Sequence, residues 1–341
     1  GRCAALTGRL SPDGVLLAKS HYDSALSLAK SLADPFLAAR IHLTLAEYIG
    51  YGSGEYDEGM RHFGAIESSP EAMADPLIGA DFHLRRAWFT FRLRLDFTRA
   101  ESDILEGQRL ARKAHDVAAQ ADAVYHTAVL AWHRGRYAEA ASLLEQAGSD
   151  AARAGVVALA GEYYGGASTH YLAAGDWDGF HRVDAALHAL QMSPGQGPYY
   201  LRWAMHQGLD ACTQGDVERF ERCYRDVFRR LGKLPTHALL RITDGWVCHF
   251  QYGCILSALG RDREAKEQLR IAQHLLQAAR NRQGLALVQS DFCDRFAQTL
   301  RERIPPSKVS SSASRSPAAR GSPTPSTSRR SSGRPGSRGG P

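Results

Sequence analysis

Small and hydrophobic residues recur along this chain with the spacing of amphipathic helices, interrupted by short turns. The clearest unit spans Asp122–Ala147. Its first half carries apolar residues at helical spacing and ends at Gly135, a residue that adopts turn conformations at low steric cost. Apolar side chains then follow at i, i+3, i+7 and i+10, on one face of a second helix: Tyr137, Ala140, Leu144 and Ala147. This segment predicts two antiparallel helices joined by a turn.

The same pattern returns about every forty residues. Because a single helical hairpin cannot bury its own apolar face, a fixed period of this size indicates a stacked array. We predict an all-α fold over residues 1–304, an α-solenoid in which about seven antiparallel helical hairpins form a right-handed superhelix. A last helix over about Gln283–Glu302 is expected to cap the array with a charged outer face. The predicted turns lie at Gly14, Gly54, Leu95, Gly135, Gly175, Gly215 and Gly260.

The repeat resembles the tetratricopeptide repeat family, whose ordinary members are 34 residues long. Its longer period is more similar to the tetratricopeptide-like arrays of bacterial signal-transduction regulators, where such arrays follow a nucleotide-hydrolysing switch module. The residues that carry the resemblance are Gly135, Tyr137, Ala140, Leu144 and Ala147 in one unit, Gly260, Ala265, Leu269 and Ala272 in another, and Gly208 and Gly253, each seven residues before a turn.

The resemblance implies a concave groove lined by the first helix of each hairpin. Such a groove would bind a protein, a peptide or a small effector, and its arginines and aromatic rings suit an acidic or aromatic-bearing peptide. The alternative is that these positions only pack or solvate the groove. The family's groove positions correspond to Phe82, Arg85, Phe89, Arg92, Asp122, Tyr125, Val129, Trp132, Glu162, Thr169 and Arg202.

The positive charge of the chain lies in its last segment, residues 305–341. Of the 42 Lys and Arg residues, seven are in this segment, which has no acidic residue; the other 35 are balanced by 36 acidic residues. The nearly neutral repeat region argues against a solenoid that wraps nucleic acid. The Ser-, Pro-, Arg- and Gly-rich tail is expected to be disordered, because it contains too few large apolar residues to form a core. It is either a phosphorylatable basic appendage that attracts nucleic acid or membrane, or the product of a shifted reading frame.

No motif in the sequence indicates a reaction. The phosphate-binding loop G-x-x-x-x-G-K-[ST], the zinc motif H-E-x-x-H and the nucleophile motif G-x-S-x-G are all absent. The pairs His126 with His133 and His181 with His188 each lack a third ligand for zinc. The six cysteines include no C-x-x-C pair, and Cys248 and Cys254 are expected to pack in the core as free thiols.

These observations favour a non-catalytic binding module without a cofactor. We expect a scaffold or sensor part of a larger, bacterial signalling or transcriptional regulator, located in the cytoplasm and without a membrane-spanning helix. Because the first residue is Gly rather than Met, we expect further sequence upstream. Two alternatives stay open: a nucleic-acid-associated protein that acts through its tail, and an all-α enzyme whose site is not recognisable in the sequence.

Overall fold

The computed structural model describes residues 12–51, 55–190, 198–233 and 245–304, and side chains there except those of residues 12–20, 48–51, 198–200, 202 and 233. This part of the chain folds into sixteen helices and contains no strand. The predictions about the tail and about the turn at Gly54 lie outside the described residues. The helices are α1 (Pro12–Ser31), α2 (Pro35–Tyr51), α3 (Tyr56–Glu67), α4 (Pro70–Ala74), α5 (Pro76–Arg94), α6 (Phe97–Lys113), α7 (Val117–His133), α8 (Tyr137–Arg153), α9 (Val157–Ala174), α10 (Trp177–Ala189), α11 (Pro198–Thr213), α12 (Val217–Lys233), α13 (Gly245–Ala258), α14 (Asp262–Ala278), α15 (Arg282–Val288) and α16 (Phe292–Arg301).

The structure repeats after each helix and its turn. This repeat is half as long as the forty-residue period visible in the sequence. From Leu95 to Gly175 a positive φ angle occurs every 20 residues. Eight turns in the described chain also share one pair of hydrogen bonds, in which the left-handed residue and the residue after it donate to carbonyls of the preceding helix. This is the Schellman motif, which ends a helix and redirects the chain. The left-handed residues of these turns are Ala33, His115, Gly135, Gly155, Gly175, Gly215, Gly260 and Arg280.

Many of these turns also begin the next helix. An Asp or Asn directly after the left-handed residue accepts a hydrogen bond from a backbone N–H of the following first turn, as Asp176 does from Gly179 at 2.8 Å. Such caps satisfy donors that have no partner within the helix. The same cap occurs at Asp34, Asp96, Asp116, Asp216 and Asn281.

Successive helices pack closely, and the largest core cluster runs from Ala121 to Ile304. Two glycines allow this approach. A Cβ atom on Gly208 would lie 2.8 Å from the ring of Tyr224, and one on Gly253 would lie 3.0 Å from the side chain of Leu269. The all-α prediction is therefore confirmed, and the arrangement fits an α-solenoid.

Gly14 is not a turn, contrary to the sequence prediction. It lies inside α1, and the chain turns instead at Ala33. A glycine is tolerated in a helix at a cost of about 1 kcal/mol, so its presence alone does not mark a turn. In the described chain α1 continues through Gly14, and α1 and α2 pack together across the turn at Ala33.

The first helices of the hairpins form one side of the array, called here the inner face: α2, α5, α7, α9, α11 and α13. Neighbours on this face pack against each other, α2 with α5, α5 with α7, α9 with α11, and α11 with α13. Each of these helices also packs against the second helix of its own hairpin. The inner face is therefore built from the elements that the sequence analysis assigned to a groove.

The last two helices do not cap the end of the array as predicted. The expected helix is interrupted between Val288 and Phe292, and both parts turn back onto the inner face. Helix α15 packs against α5, and α16 packs against α9 and α13. A surface ion pair of 2.7 Å between Arg280 and Glu55 joins regions 225 residues apart. The array therefore closes on itself, with its own C-terminal helices on the inner face.

Candidate binding groove

An aromatic ladder crosses the inner face from α5 to α9. The ring centroids of Trp88 and Tyr125 are 6.4 Å apart, and those of Tyr125 and Tyr163 are 4.9 Å apart with nearly parallel planes. Equivalent positions on successive first helices thus contact each other directly. Tyr163 is buried, whereas Tyr125 is only half-buried and offers part of its ring to solvent.

Two carboxylates lie beside this ladder. Asp122 accepts a hydrogen bond of 3.2 Å from the hydroxyl of Tyr163, and its side chain is 40% exposed. Glu162 is half-buried. Burial raises the pKa of Tyr163 well above its usual value, and the negative charges of Asp122 and Glu162 raise it further. We call Asp122, Tyr125 and Glu162 the acidic–aromatic strip; it can accept hydrogen bonds and stack against a flat group.

A second aromatic group lies about two helical turns further along α7. The rings of Trp132 and His170 are stacked with centroids 4.6 Å apart and planes at 5°. The Nδ1 atom of His170 is 2.7 Å from the carbonyl oxygen of Gly166, to which it donates, because a carbonyl can only accept. Thr169 donates to the same carbonyl at 2.8 Å. This pair forms the floor of the inner face between α7 and α9.

The histidines at this floor are held neutral. Burial lowers the pKa of His170 to about 4. Burial also lowers the pKa of His133, to about 3, and repulsion from a charged His170 contributes to the decrease. An imidazole that loses water on folding binds its second proton poorly. Neither ring is therefore suited to carry a positive charge in the folded protein near neutral pH.

Phe292, the first residue of α16, fits among three rings above this floor. Its ring centroid is 5.2 Å from that of His170, 5.3 Å from that of Tyr137 and 5.8 Å from that of Phe250. The Tyr137 hydroxyl also donates to the carboxylate of Asp291 at 2.8 Å. We call Tyr137, His170 and Phe250 the aromatic cage. It shows that the inner face accommodates a helix with a phenylalanine anchor.

The residues predicted on α5 are not available to a ligand in the way the family positions implied. Phe82 is 0% exposed, and Phe89 and Arg92 are buried with it. Arg85 forms an ion pair with Glu47 of α2. The reason is that α2, α3, α6, α7 and α15 all pack against α5, so twelve of its nineteen residues are buried.

Of the seven other predicted positions, one is buried, five are half-buried, and one has a side chain outside the described part. Val129 on α7 is buried in the core. The half-buried positions on α7 and α9 are Asp122, Tyr125, Trp132, Glu162 and Thr169. Arg202 belongs to α11, but its side chain lies outside the described side chains.

The cage residues His170, Tyr137 and Phe250, and Phe292 that fits among them, were not predicted as site residues. A partial signal was present, because His170 follows Trp132 by 38 residues and Tyr163 follows Tyr125 by the same interval. That shared offset marks equivalent positions on neighbouring first helices. The position of Phe292 had no such signal, since it depends on the return of α16 across the array.

One buried cluster contains the residue types of a hydrolase triad. The Nε2 atom of His206 hydrogen-bonds to Asp184, and its Nδ1 atom is 3.3 Å from the hydroxyl oxygen of Ser168. Burial alone would raise the pKa of Asp184, but the hydrogen bond and charge of His206 lower it. Ser168 is 1% exposed and donates its proton to the carbonyl of Gly165 at 2.9 Å, so neither a substrate nor the histidine is positioned to use it. The cluster joins α9, α10 and α11.

The described part of the chain offers neither a metal-binding cluster nor a membrane-spanning helix. It holds no group of three or more His, Cys, Asp or Glu side chains arranged to share a metal ion. None of its helices combines the length and the apolar character that a membrane crossing requires. Cys248 and Cys254 are buried as free thiols, as expected.

Comparison with known protein families finds no family that matches this chain, and comparison with curated protein sequences finds no significant match.

Proposed function

We propose that this chain is a non-catalytic binding module that recognises a protein or peptide partner on its inner face. On the inner face, half-exposed aromatic rings and carboxylates lie beside a surface that already holds a helix of the chain. This observation carries the proposal. Tyr and Trp side chains are enriched among residues that dominate binding energy, because they bury much area with few rotatable bonds. Tyr125 and Trp132 have this character.

We further propose that the array is of the tetratricopeptide-like type and belongs to a larger cytoplasmic signalling or transcriptional regulator. The repeated turns and the inner face built from first helices support this assignment. A partner that binds one curvature of the array more tightly than another shifts the population towards that curvature. Such a shift would carry the binding signal to the rest of the regulator.

The acidic–aromatic strip gives the proposal a direct test. Glu162→Arg reverses one charge on the inner face, whereas Glu267→Arg reverses an exposed charge on α14, a second helix of its hairpin. We expect proteins retained by the immobilised chain to be lost with Glu162→Arg and kept with Glu267→Arg, while circular dichroism shows equal helicity. Equal retention by all three folded chains would refute recognition through the acidic–aromatic strip.

A further inference from the structure

The C-terminal helix α16 identifies the kind of partner that the inner face fits. We propose that the surface of α9 and α13 around the aromatic cage docks an amphipathic helix of a partner protein, and that α16 is the intramolecular competitor of that helix. This inference rests on the proposed binding function and specifies the chemistry of the partner.

The buried side of α16 defines what the incoming helix must present. Phe292, Phe296 and Leu300 are buried at i, i+4 and i+8, and they lie on one side of the helix. Small buried residues, Cys293 and Ala297, lie between them. The opposite side is charged or polar and consists of Asp294, Arg295, Gln298 and Arg301. A partner helix therefore needs two aromatic anchors four residues apart, followed by an aliphatic one.

Two of the polar contacts that hold α15 and α16 in place are exposed, and a third, the hydrogen bond from Tyr137 to Asp291, is partly buried. Arg280 and Glu55 are both more than half exposed, and Arg301 donates to the carbonyl of Ser257 at 3.0 Å in an exposed position. Exposed pairs of this kind contribute little to stability. The attachment of α16 depends on its apolar side, which a second amphipathic helix can reproduce.

Helix α16 leaves two buried polar atoms beneath it without hydrogen-bond partners in the described part of the chain. The Nε1 atom of Trp132 and the Nε2 atom of His170 are buried without a hydrogen-bond partner among the described residues. Phe292, which contacts the His170 ring, carries no group that can bond to either nitrogen. Buried polar atoms without partners disfavour the state that contains them. Only an occupant with a polar group at this position would remove the cost, so it favours exchange of α16 for such a partner helix and not for one with the same side chains.

The short break between α15 and α16 provides a place for movement. Residues 289–291 connect two helices of seven and ten residues, and neither is long enough to be stable alone in water. Release of α16 therefore requires opening at this break and loss of its own helix, without rearrangement of α9 or α13.

The test uses the complete chain and a fluorescent peptide with the sequence of residues 289–304, in which Ser replaces the cysteine at position 293. In the unaltered chain α16 competes with the peptide. Phe296→Ala weakens the competitor, so we expect this chain to bind the peptide at least tenfold more tightly by fluorescence anisotropy. Leu105→Ala, at a 67% exposed leucine on α6, is the control and is expected to bind like the unaltered chain. A peptide with alanine at both phenylalanine positions should not bind.

A folded Phe296→Ala chain that binds the peptide no better than the unaltered chain would overturn the inference. If Phe296→Ala does not fold, hydrogen–deuterium exchange on the unaltered chain decides instead. The backbone amides of α16 should then exchange at least tenfold faster than those of α9 and α13. Equal exchange rates would show that α16 opens only with the whole array, and would also overturn the inference.

The two proposals fail in different ways. If α16 does not exchange but Glu162→Arg loses its partner, the inner face is a binding site and only the competition is wrong. If α16 exchanges and the peptide binds, but Glu162→Arg retains all partners, the proposed strip is wrong and the docking surface is confirmed.

Discussion

Four residues other than glycine have a positive φ angle in the described chain: Ala33, Leu95, His115 and Arg280. Side chains with a Cβ atom are strained in this left-handed region by about 1–2 kcal/mol. The Schellman hydrogen bonds and the caps that follow offset this strain at three of the four turns. Turns of the array therefore do not require glycine, although glycine suits them best.

His115→Gly should stabilise the protein. His115 is exposed, so the change relieves strain without loss of packing. Part of the gain is offset, because glycine gives the unfolded chain more freedom. We expect the free energy of unfolding in urea to rise by about 0.5–1 kcal/mol. Gly135→Ala, at the equivalent turn position, should lower it by about 1 kcal/mol. A lower stability for His115→Gly would contradict this account of the turns.

The buried histidines predict how stability depends on pH. His133 and His170 are neutral when folded, with pKa values lowered to about 3 and about 4, but they bind protons when unfolded below pH 6.5. The stability that the protein gains from keeping these histidines neutral is fully present above pH 6.5 and is lost as the pH falls towards 4. In that window each histidine should lower the free energy of unfolding by about 1.4 kcal/mol per pH unit.

A histidine variant tests whether His170 causes part of this pH dependence. His170→Phe should reduce the pH dependence of the free energy of unfolding by about one proton relative to the unaltered chain. Urea unfolding at pH 7, 6 and 5 measures the slopes. An unchanged slope in His170→Phe would show that His170 is not neutral in the folded protein.

The sequence predicted the helices and every second turn of the array, including the one at Leu95, which has no glycine. Gly135, Gly175, Gly215 and Gly260 all mark turns as predicted. The forty-residue period nevertheless concealed a unit of half that length. Alternate turns use His115 or follow a weak apolar pattern, as Gly155 does, so no regular residue type marks them. Gly14 was misassigned because a glycine inside a helix carries the same local signal as one in a turn.

A buried charge network joins α5 to α6. Arg86 donates to Asp103 through Nε at 2.9 Å and Nη2 at 2.6 Å, and His83 lies 2.8 Å from the same carboxylate. Burial alone would raise the pKa of Asp103, but hydrogen bonds from His83 and Arg86 lower it. The carboxylate is therefore ionised and balances the buried guanidinium.

Asp103→Asn should destabilise the protein strongly, because the buried charge of Arg86 would lose its main partner. We expect the free energy of unfolding to fall by about 3 kcal/mol. The control on the same helix is Glu106→Gln, which removes an exposed pair with Arg109 and should cause no resolvable change. Denaturant titrations compare the two. A similar, small effect for both variants would contradict the assignment of Asp103 as the main partner of the buried Arg86 charge.

At the scale of the whole molecule, only part of the candidate site was predictable. The family spacing placed Asp122, Tyr125, Trp132, Glu162 and Thr169 together on α7 and α9, since neighbouring repeats share equivalent positions. The family spacing did not predict that the positions on α5 are buried, because the surroundings of that helix depend on distant elements that pack against it.

The closure of the array was not predictable either. The C-terminal helices have the charge expected of a solvated cap, and nothing local indicates that they return to the inner face. Their position depends on the summed rotation of all preceding hairpins. A small rotation per repeat, accumulated over the array, brings Arg280 to Glu55. Release of these helices by a partner would therefore couple binding to the curvature of the array.

Site-specific photocrosslinking tests whether a partner binds at the inner face. The photoreactive residue benzoylphenylalanine would replace Tyr125 on the inner face in one chain and the exposed Leu105 on α6 in another. After irradiation with the partner present, we predict a covalent adduct at position 125 and none at position 105. An adduct at position 105 without one at position 125 would contradict the claim.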